Sequence, residues 1–137
     1  MAVVPLAQPY SLRNATFEVA ADDFTAAISQ VQFDPSTSPT TWRGIGGNVV
    51  RDQPTAEWGA TIGYAQDLAA AGFARYCHDH EGETKAVVFT PVDGGPAIEA
   101  TLVIAPGTIG GQADGNTVTA SVTMAVVGRP EFVDPTP

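Results

Sequence analysis

The sequence predicts a mainly β fold: an antiparallel β-sandwich or barrel with one flanking α-helix (about residues 65–80) and a long extended arm. Three observations lead there. Strict apolar/polar alternation recurs in separate segments, one Ala-rich stretch has a helical period instead, and long Gly- and Pro-rich loops divide them. Many strands with a single helix read as a sandwich or barrel with the helix packed on its side. A chain of 137 residues supports one hydrophobic core, and so one domain over 1–137.

In chain order, the opening "MAVVPLAQPYSL" has no cationic start and its apolar run is broken at Pro5, so no signal peptide is expected there. "ATFEVA" is a short strand, and "FTAAISQVQF" a less regular one. In the latter Phe24, Ala26 and Ile28 share one face, while Val31 and Phe33 share the other, so a bulge near Ser29 is needed to reconcile them. The segment Asp34 to Thr55 is too long for a casual turn. Within it "TTWRG" and "NVVR" can pair as an extended hairpin around Ile45, Gly46 and Gly47, with Trp42 at its base; the alternative is an irregular loop. A hairpin standing alone is marginal in water, so such an arm leans on something.

"AEWGATIGYA" puts Trp58, Ala60, Ile62 and Tyr64 on one face, as a half-buried antiparallel strand does. From Ala65 to about Asp79 the chain is Ala-rich, with Ala69, Phe73, Tyr76 and Cys77 recurring as one helical stripe and Gly82 as the stop signal. "KAVVFTPV" is the next strand. "AIEATLVIA" follows, with Ile98, Ala100, Leu102 and Ile104 on one face, and after the loop Ala105 to Asn116 the strand "TVTASVTMAV" buries Val118, Ala120, Val122, Met124 and Val126. The tail "GRPEFVDPTP" reads as loop.

Six Lys plus Arg against fifteen Asp plus Glu give a formal net charge of -9, with the acids scattered along the chain. A negative surface of this kind lacks the clustered cations that grip nucleic acid. A single cysteine forms no intrachain disulfide, and no window approaches a membrane span of about 20 apolar residues.

The reactive-looking stretch is "RYCHDHEGE", which holds Cys77, His78 and His80. On a helix, residues two apart diverge by about 200°, so the histidines cannot share one ion. Cys77 and His80 lie on one face, but structural zinc needs four ligands of Cys, His or carboxylate type, and there is no other Cys or His. No metal site and no cofactor is therefore expected. Cys77 joins the apolar stripe as a small buried hydrophobe, His80 sits at the negative helix end, and His78 is exposed. A nucleophilic pair would need a base and an orienting group, which this spacing does not provide. The glycine clusters match no nucleotide-binding pattern, and Asn14-Ala15-Thr16 is a bare glycosylation triplet. No catalytic residue emerges, and a small hydrolase remains only if Cys77 proves exposed and reactive.

What remains is surface. The outward face of the last long strand is Thr and Ser without charge, and the chain has very few lysines with which to guard a sheet edge. Both features favour a protein that assembles over a generic binding module.

The chain resembles the major tail proteins, or tail tube proteins, of long-tailed bacteriophages with non-contractile tails. Four stretches in order carry the resemblance: "VQFDPSTSPTTWRGIGG", "AEWGATIGYAQDLAAAGFARYCHDHEGE", "VVFTPVDGGPAIEATLVIAPGTIGG" and "VTASVTMAVVGRPE", covering roughly residues 30–131. Leu68 stands where relatives often carry a bulky aromatic after Gln-Asp.

The resemblance implies a virion protein, made in the host cytoplasm, whose copies form hexameric rings stacked into a tube. Double-stranded DNA passes through a negative lumen without specific binding. The partners it implies are other copies of the chain and the tail tip, tape measure and terminator proteins. The N-terminal segment 1–13, the arm 34–55 and the tail 128–137 become the elements between subunits. Trp42, Arg43 and Arg51 are then the ring-stacking residues, and the strand acids Glu57 and Glu99 the candidates to face the lumen. The alternative is an Ig-like β-sandwich module that recognises a surface carbohydrate or protein.

Overall fold

Alternation becomes strand pairing in the computed structural model, which describes residues 3–7, 9–52 and 55–135. The strands are β1 (Thr16–Val19), β2 (Asp22–Asp23), β3 (Ile28–Ser36), β4 (Thr40–Arg43), β5 (Val49–Asp52), β6 (Glu57–Ala65), β7 (Thr84–Thr90), β8 (Ala97–Val103), β9 (Thr119–Ala125) and β10 (Glu131–Val133). One helix, α1 (Phe73–Asp79), lies between β6 and β7. Every pairing between strands is antiparallel. A five-stranded sheet has the order β10-β8-β7-β1-β2, a three-stranded sheet the order β3-β6-β9, and β4 and β5 form a sheet of their own.

The two larger sheets pack face to face around one core. Phe17, Val19, Val87, Phe89, Ala100 and Leu102 face inward from the first; Val31, Ala60, Ile62, Tyr64, Val122 and Met124 face inward from the second. Each set comes from alternate positions, as period-two side chains require. Along one side the sheets are joined: Leu102 bridges to Val126, and Val127 N–H donates to the Thr101 carbonyl at 2.8 Å. The mainly β sandwich with one helix is therefore the fold.

The register of β3 shifts between Ile28 and Gln30, which is the bulge expected near Ser29. Its consequence differs from the expectation at the strand start. Phe24 and Ala26 precede β3 in a turn closed by Ala27 N–H on the Phe24 carbonyl; Phe24 is buried there and Ala26 exposed.

The helix is seven residues long, not fifteen. Ala65 completes β6 opposite Thr119, with its N–H on the Ala27 carbonyl at 2.9 Å. The Asp67 carboxylate then accepts Ala69 N–H at 2.9 Å, and Gly72 N–H closes a turn on the Ala69 carbonyl at 3.0 Å. Local Asp-to-backbone bonding of this kind competes with helix formation, and here it wins over Ala propensity. Ala69 is consequently exposed and outside the helix. Phe73 seats α1 on the sandwich through edge contacts with Tyr64, Phe24 and Phe17 at ring separations of 5.1, 5.2 and 6.4 Å. Gly82, at φ +83°, sends the chain on to β7 with its N–H on the Ile104 carbonyl.

Candidate functional site

The arm contributes no residue to the core. Its register is Thr40 to Asp52, Thr41 to Arg51, Trp42 to Val50 and Arg43 to Val49. The tip is closed by Gly44 N–H on the Asn48 carbonyl at 2.9 Å and Gly47 N–H on the Gly44 carbonyl at 3.1 Å. Every residue of β4 and β5 is exposed. Trp42 therefore sits one residue from the tip and not at the base, because only Thr40–Arg43 lie on its strand, and it is 68 % exposed.

Opposed residues in an antiparallel ladder share a face and neighbours alternate. One face of the arm thus carries Trp42 and Val50, and the other carries Arg43, Arg51 and Val49. The structure brings the two arginines together and puts Trp42 on the reverse side. Two of the six cations of the chain lie on this one face, and neither is in an ion pair among the described residues.

The outer faces of the sandwich differ. On the three-stranded sheet the outward rows are Gln32, Thr61, Thr123 and Gln30, Gly63, Ser121, with Asp34 and Glu57 the acids at one end. Gln30 donates to Gln32 and Gln32 to Asp34, at 3.2 and 2.8 Å, so the β3 side chains form a polar ladder. Neither β3 nor β9 has a second strand partner along its length among the described residues.

On the five-stranded sheet the registers align Glu131, Glu99, Val88, Glu18 and Asp23 in one transverse row. Glu131 and Glu99 oppose each other directly, an arrangement that destabilises a sheet pair. Glu57 and Glu99 therefore occupy opposite outer faces of the sandwich and do not meet. The Glu18, Asp23 and Glu131 positions were invisible in the sequence because only strand pairing aligns them. β10, read from sequence as loop, is an edge strand; Phe132 and Val133 were its only signal.

Phe132 pairs with Ile98 on the inward side of β10 and is 79 % exposed. It lines an open apolar groove with Tyr10, Pro91, Val92, Pro96 and Ile98.

At the helix end, Cys77 is fully buried, and burial pushes its thiol up to about 12. His78 is exposed and 3.5 Å from Asp79. His80 Nδ1 meets Glu83 Oε2 at 2.8 Å, its ring lies over Tyr76 at 4.3 Å between centroids, and that hydrogen bond holds the Glu83 carboxyl below its usual range. Among the described residues, no three Cys, His, Asp or Glu side chains converge as metal ligands, and no helix is long and apolar enough to cross a membrane.

No protein-family model matches the sequence, and no curated protein matches it. Solved structures share the fold. A chain of the sheath-tube complex of an extracellular contractile injection system, PVC, in the extended state superposes with a TM-score of 0.66 at 13 % identity, covering 94 % of each chain. The sheath/tube terminator of the same kind of system gives 0.63 at 12 % identity, over 93 % of this chain and 99 % of that one. The tube-terminating cap of the anti-feeding prophage gives 0.60 at 10 % identity, over 98 % of this chain and 99 % of the cap. Two of these neighbours come from a contractile injection system, so the shared fold does not single out a non-contractile tail.

Proposed function

We propose that the chain is a structural subunit of a phage-type tail tube, closing into hexameric rings that stack to form a conduit for double-stranded DNA. The observation that carries this reading is the arm: a hairpin with a sheet of its own, exposed throughout, with Trp42 held in solvent near its tip. A hairpin of four-residue strands gains too little to justify such exposure by itself, which fits a segment whose partner is another subunit. The shared fold with sheath-tube and terminator chains supports the same role.

In this reading the three-stranded sheet faces the lumen. Its lateral strands, β3 and β9, have no second strand partner along their length among the described residues, and edge-to-edge joining around a ring would cover them. Its outward Thr, Ser, Gln and Gly offer DNA no cations, and Asp34 and Glu57 add repulsion. Glu57 is then the lumenal acid, while Glu99 lies on the outside.

Electron microscopy of the concentrated protein tests the proposal. Rings or hollow tubes are expected, and a monomer at every concentration overturns it. The exposed Trp42 also suits an Ig-like module that binds a surface carbohydrate or protein; reproducible glycan binding without self-assembly would favour that second reading.

A further inference from the structure

The lateral edge of β10 is unpaired among the described residues, since β10 is the outermost strand of its sheet. An open edge is a template for an added strand, with main-chain bonds giving affinity and alternate side chains giving specificity. β10 presents Glu131 and Val133 outward and Phe132 toward the apolar groove. β4 has the same alternation: Thr41 and Arg43 on one face and Trp42 on the other.

Resting on the assembly reading above, we propose that the arm of one copy adds to the β10 edge of a second copy as an antiparallel strand, setting Arg43, Trp42 and Thr41 opposite Glu131, Phe132 and Val133. The antiparallel direction is chosen by charge. With Trp42 opposite Phe132, a parallel strand would put Arg43 against Val133 and leave Glu131 facing Thr41. The antiparallel register extends the row Glu131, Glu99, Val88, Glu18, Asp23 with a guanidinium at its end, beside the two opposed glutamates. Arg129, which precedes β10, meets Glu131 at 3.5 Å; among the described residues no cation stands opposite Glu99 or Glu131 on a neighbouring strand, and the arm would supply one. Arg51 lies on the Arg43 face, one strand further out. On the reverse side Trp42 enters the groove of Phe132, Ile98 and Tyr10, covering apolar surface that the single chain leaves in water. The contact is between two different patches, so it propagates from copy to copy instead of closing on a pair.

Cross-linking of two separately purified variants, Trp42→Cys and Phe132→Cys, tests this. Opposed residues in an antiparallel pair have Cα atoms about 4.5–5.5 Å apart, within the span of a disulfide. Mixed under mild oxidation, the two proteins should give the 42–132 disulfide between chains, identified by peptide mass spectrometry; the buried Cys77 stays out of it. Arg43→Glu in the first variant should cut the yield about tenfold or more, as like charges face each other, and Glu131→Arg in the second should restore it. Absence of the 42–132 link, or a yield indifferent to the charge reversal, overturns the proposal. A single chain carrying both cysteines that forms the link only within itself, as a monomer, overturns it as well, because the arm would then dock on its own sheet. Micrographs of the unmodified protein separate the two levels. Rings or tubes without the link refute this docking and leave the tube reading standing, whereas no assembly at any concentration refutes the tube reading itself.

Discussion

Gly107 lies so close to the ring of Tyr64 that a methyl group on it would overlap the phenol oxygen and stand 3.3 Å from Cζ. Tyr64 is buried, and the Gly107 backbone lies directly against its phenol end. Thus the loop after β8 is held to the core by a contact that has no room for a side chain. Gly107→Ala is expected to lower stability by about 1–3 kcal/mol, the usual cost of overpacking. Adding Tyr64→Phe should return part of that loss, since it removes the nearest clashing atom. Urea unfolding of the two single variants and the double variant measures the coupling.

Ala20 and Ala21 form the two-residue turn between β1 and β2 with φ of +50° and +76°. This left-handed backbone costs an L-residue roughly 1–2 kcal/mol, and such turns favour Asn-Gly. Replacing Ala20-Ala21 by Asn-Gly should raise stability by about 1 kcal/mol. An unchanged or lower melting temperature would mean that the turn carries no such strain.

Ser36 and Glu57 are directly paired at the root of the arm. Residues 37–56 can therefore be replaced by a two-residue hairpin turn that leaves β3 and β6 in register. Circular dichroism and the melting temperature of the sandwich should stay close to those of the full chain, while rings and tubes disappear from micrographs. Tubes that still form would remove the arm from the assembly mechanism.

Cys77 gives a pH signature. Its thiol is pushed from 9.0 to about 12 in the folded protein, so the unfolded chain loses this proton first as pH rises. The contribution is fully present below about pH 9 and is lost progressively toward pH 12, with a slope approaching about 1.4 kcal/mol per pH unit. Burial raises Tyr64 and Tyr76 as well, in the same direction. Denaturation between pH 8 and pH 11 should show the slope, and Cys77→Ala should make it shallower. The native thiol should also resist a thiol reagent until the protein unfolds.

Phe73→Ala should cost about 3–5 kcal/mol, since the ring touches three aromatic partners and fixes a helix too short to persist alone. Near-ultraviolet circular dichroism should weaken with it. A loss below about 1 kcal/mol would show that α1 is held elsewhere.

The strands that bury one face were legible because burial writes itself as alternation: Ile62 and Tyr64, Leu102 and Ile104, Val122 and Met124 all point inward as their spacing requires. The bulge at Ser29 was legible for the same reason, as a break in parity. The first half of the expected helix was misread because Asp67 and Gln66 bond to backbone that sequence spacing does not reveal: Asp67 to Ala69, and Gln66 to Gly110 from across the loop. The turn at Ala20 carried no glycine to announce it. The two-faced arm and the acid row depend on register, and register is a property of paired strands. Thus Arg43 and Arg51 could be named as arm residues, whereas their separation from Trp42, and that of Glu57 from Glu99, required the ladder.

The arm has a last consequence, for the timing of assembly. Because, among the described residues, β4 and β5 pair only with each other, the sandwich can complete its folding whether or not the hairpin is in place. If the arm docks between copies as proposed, the free energy of fixing those strands is deferred from folding to docking, where it would subtract from the first contact between copies. Isolated subunits would then lag below a critical concentration. Once a first layer presented many receptive edges at fixed spacing, each further subunit could engage several of them together, and growth from that seed would outrun spontaneous initiation.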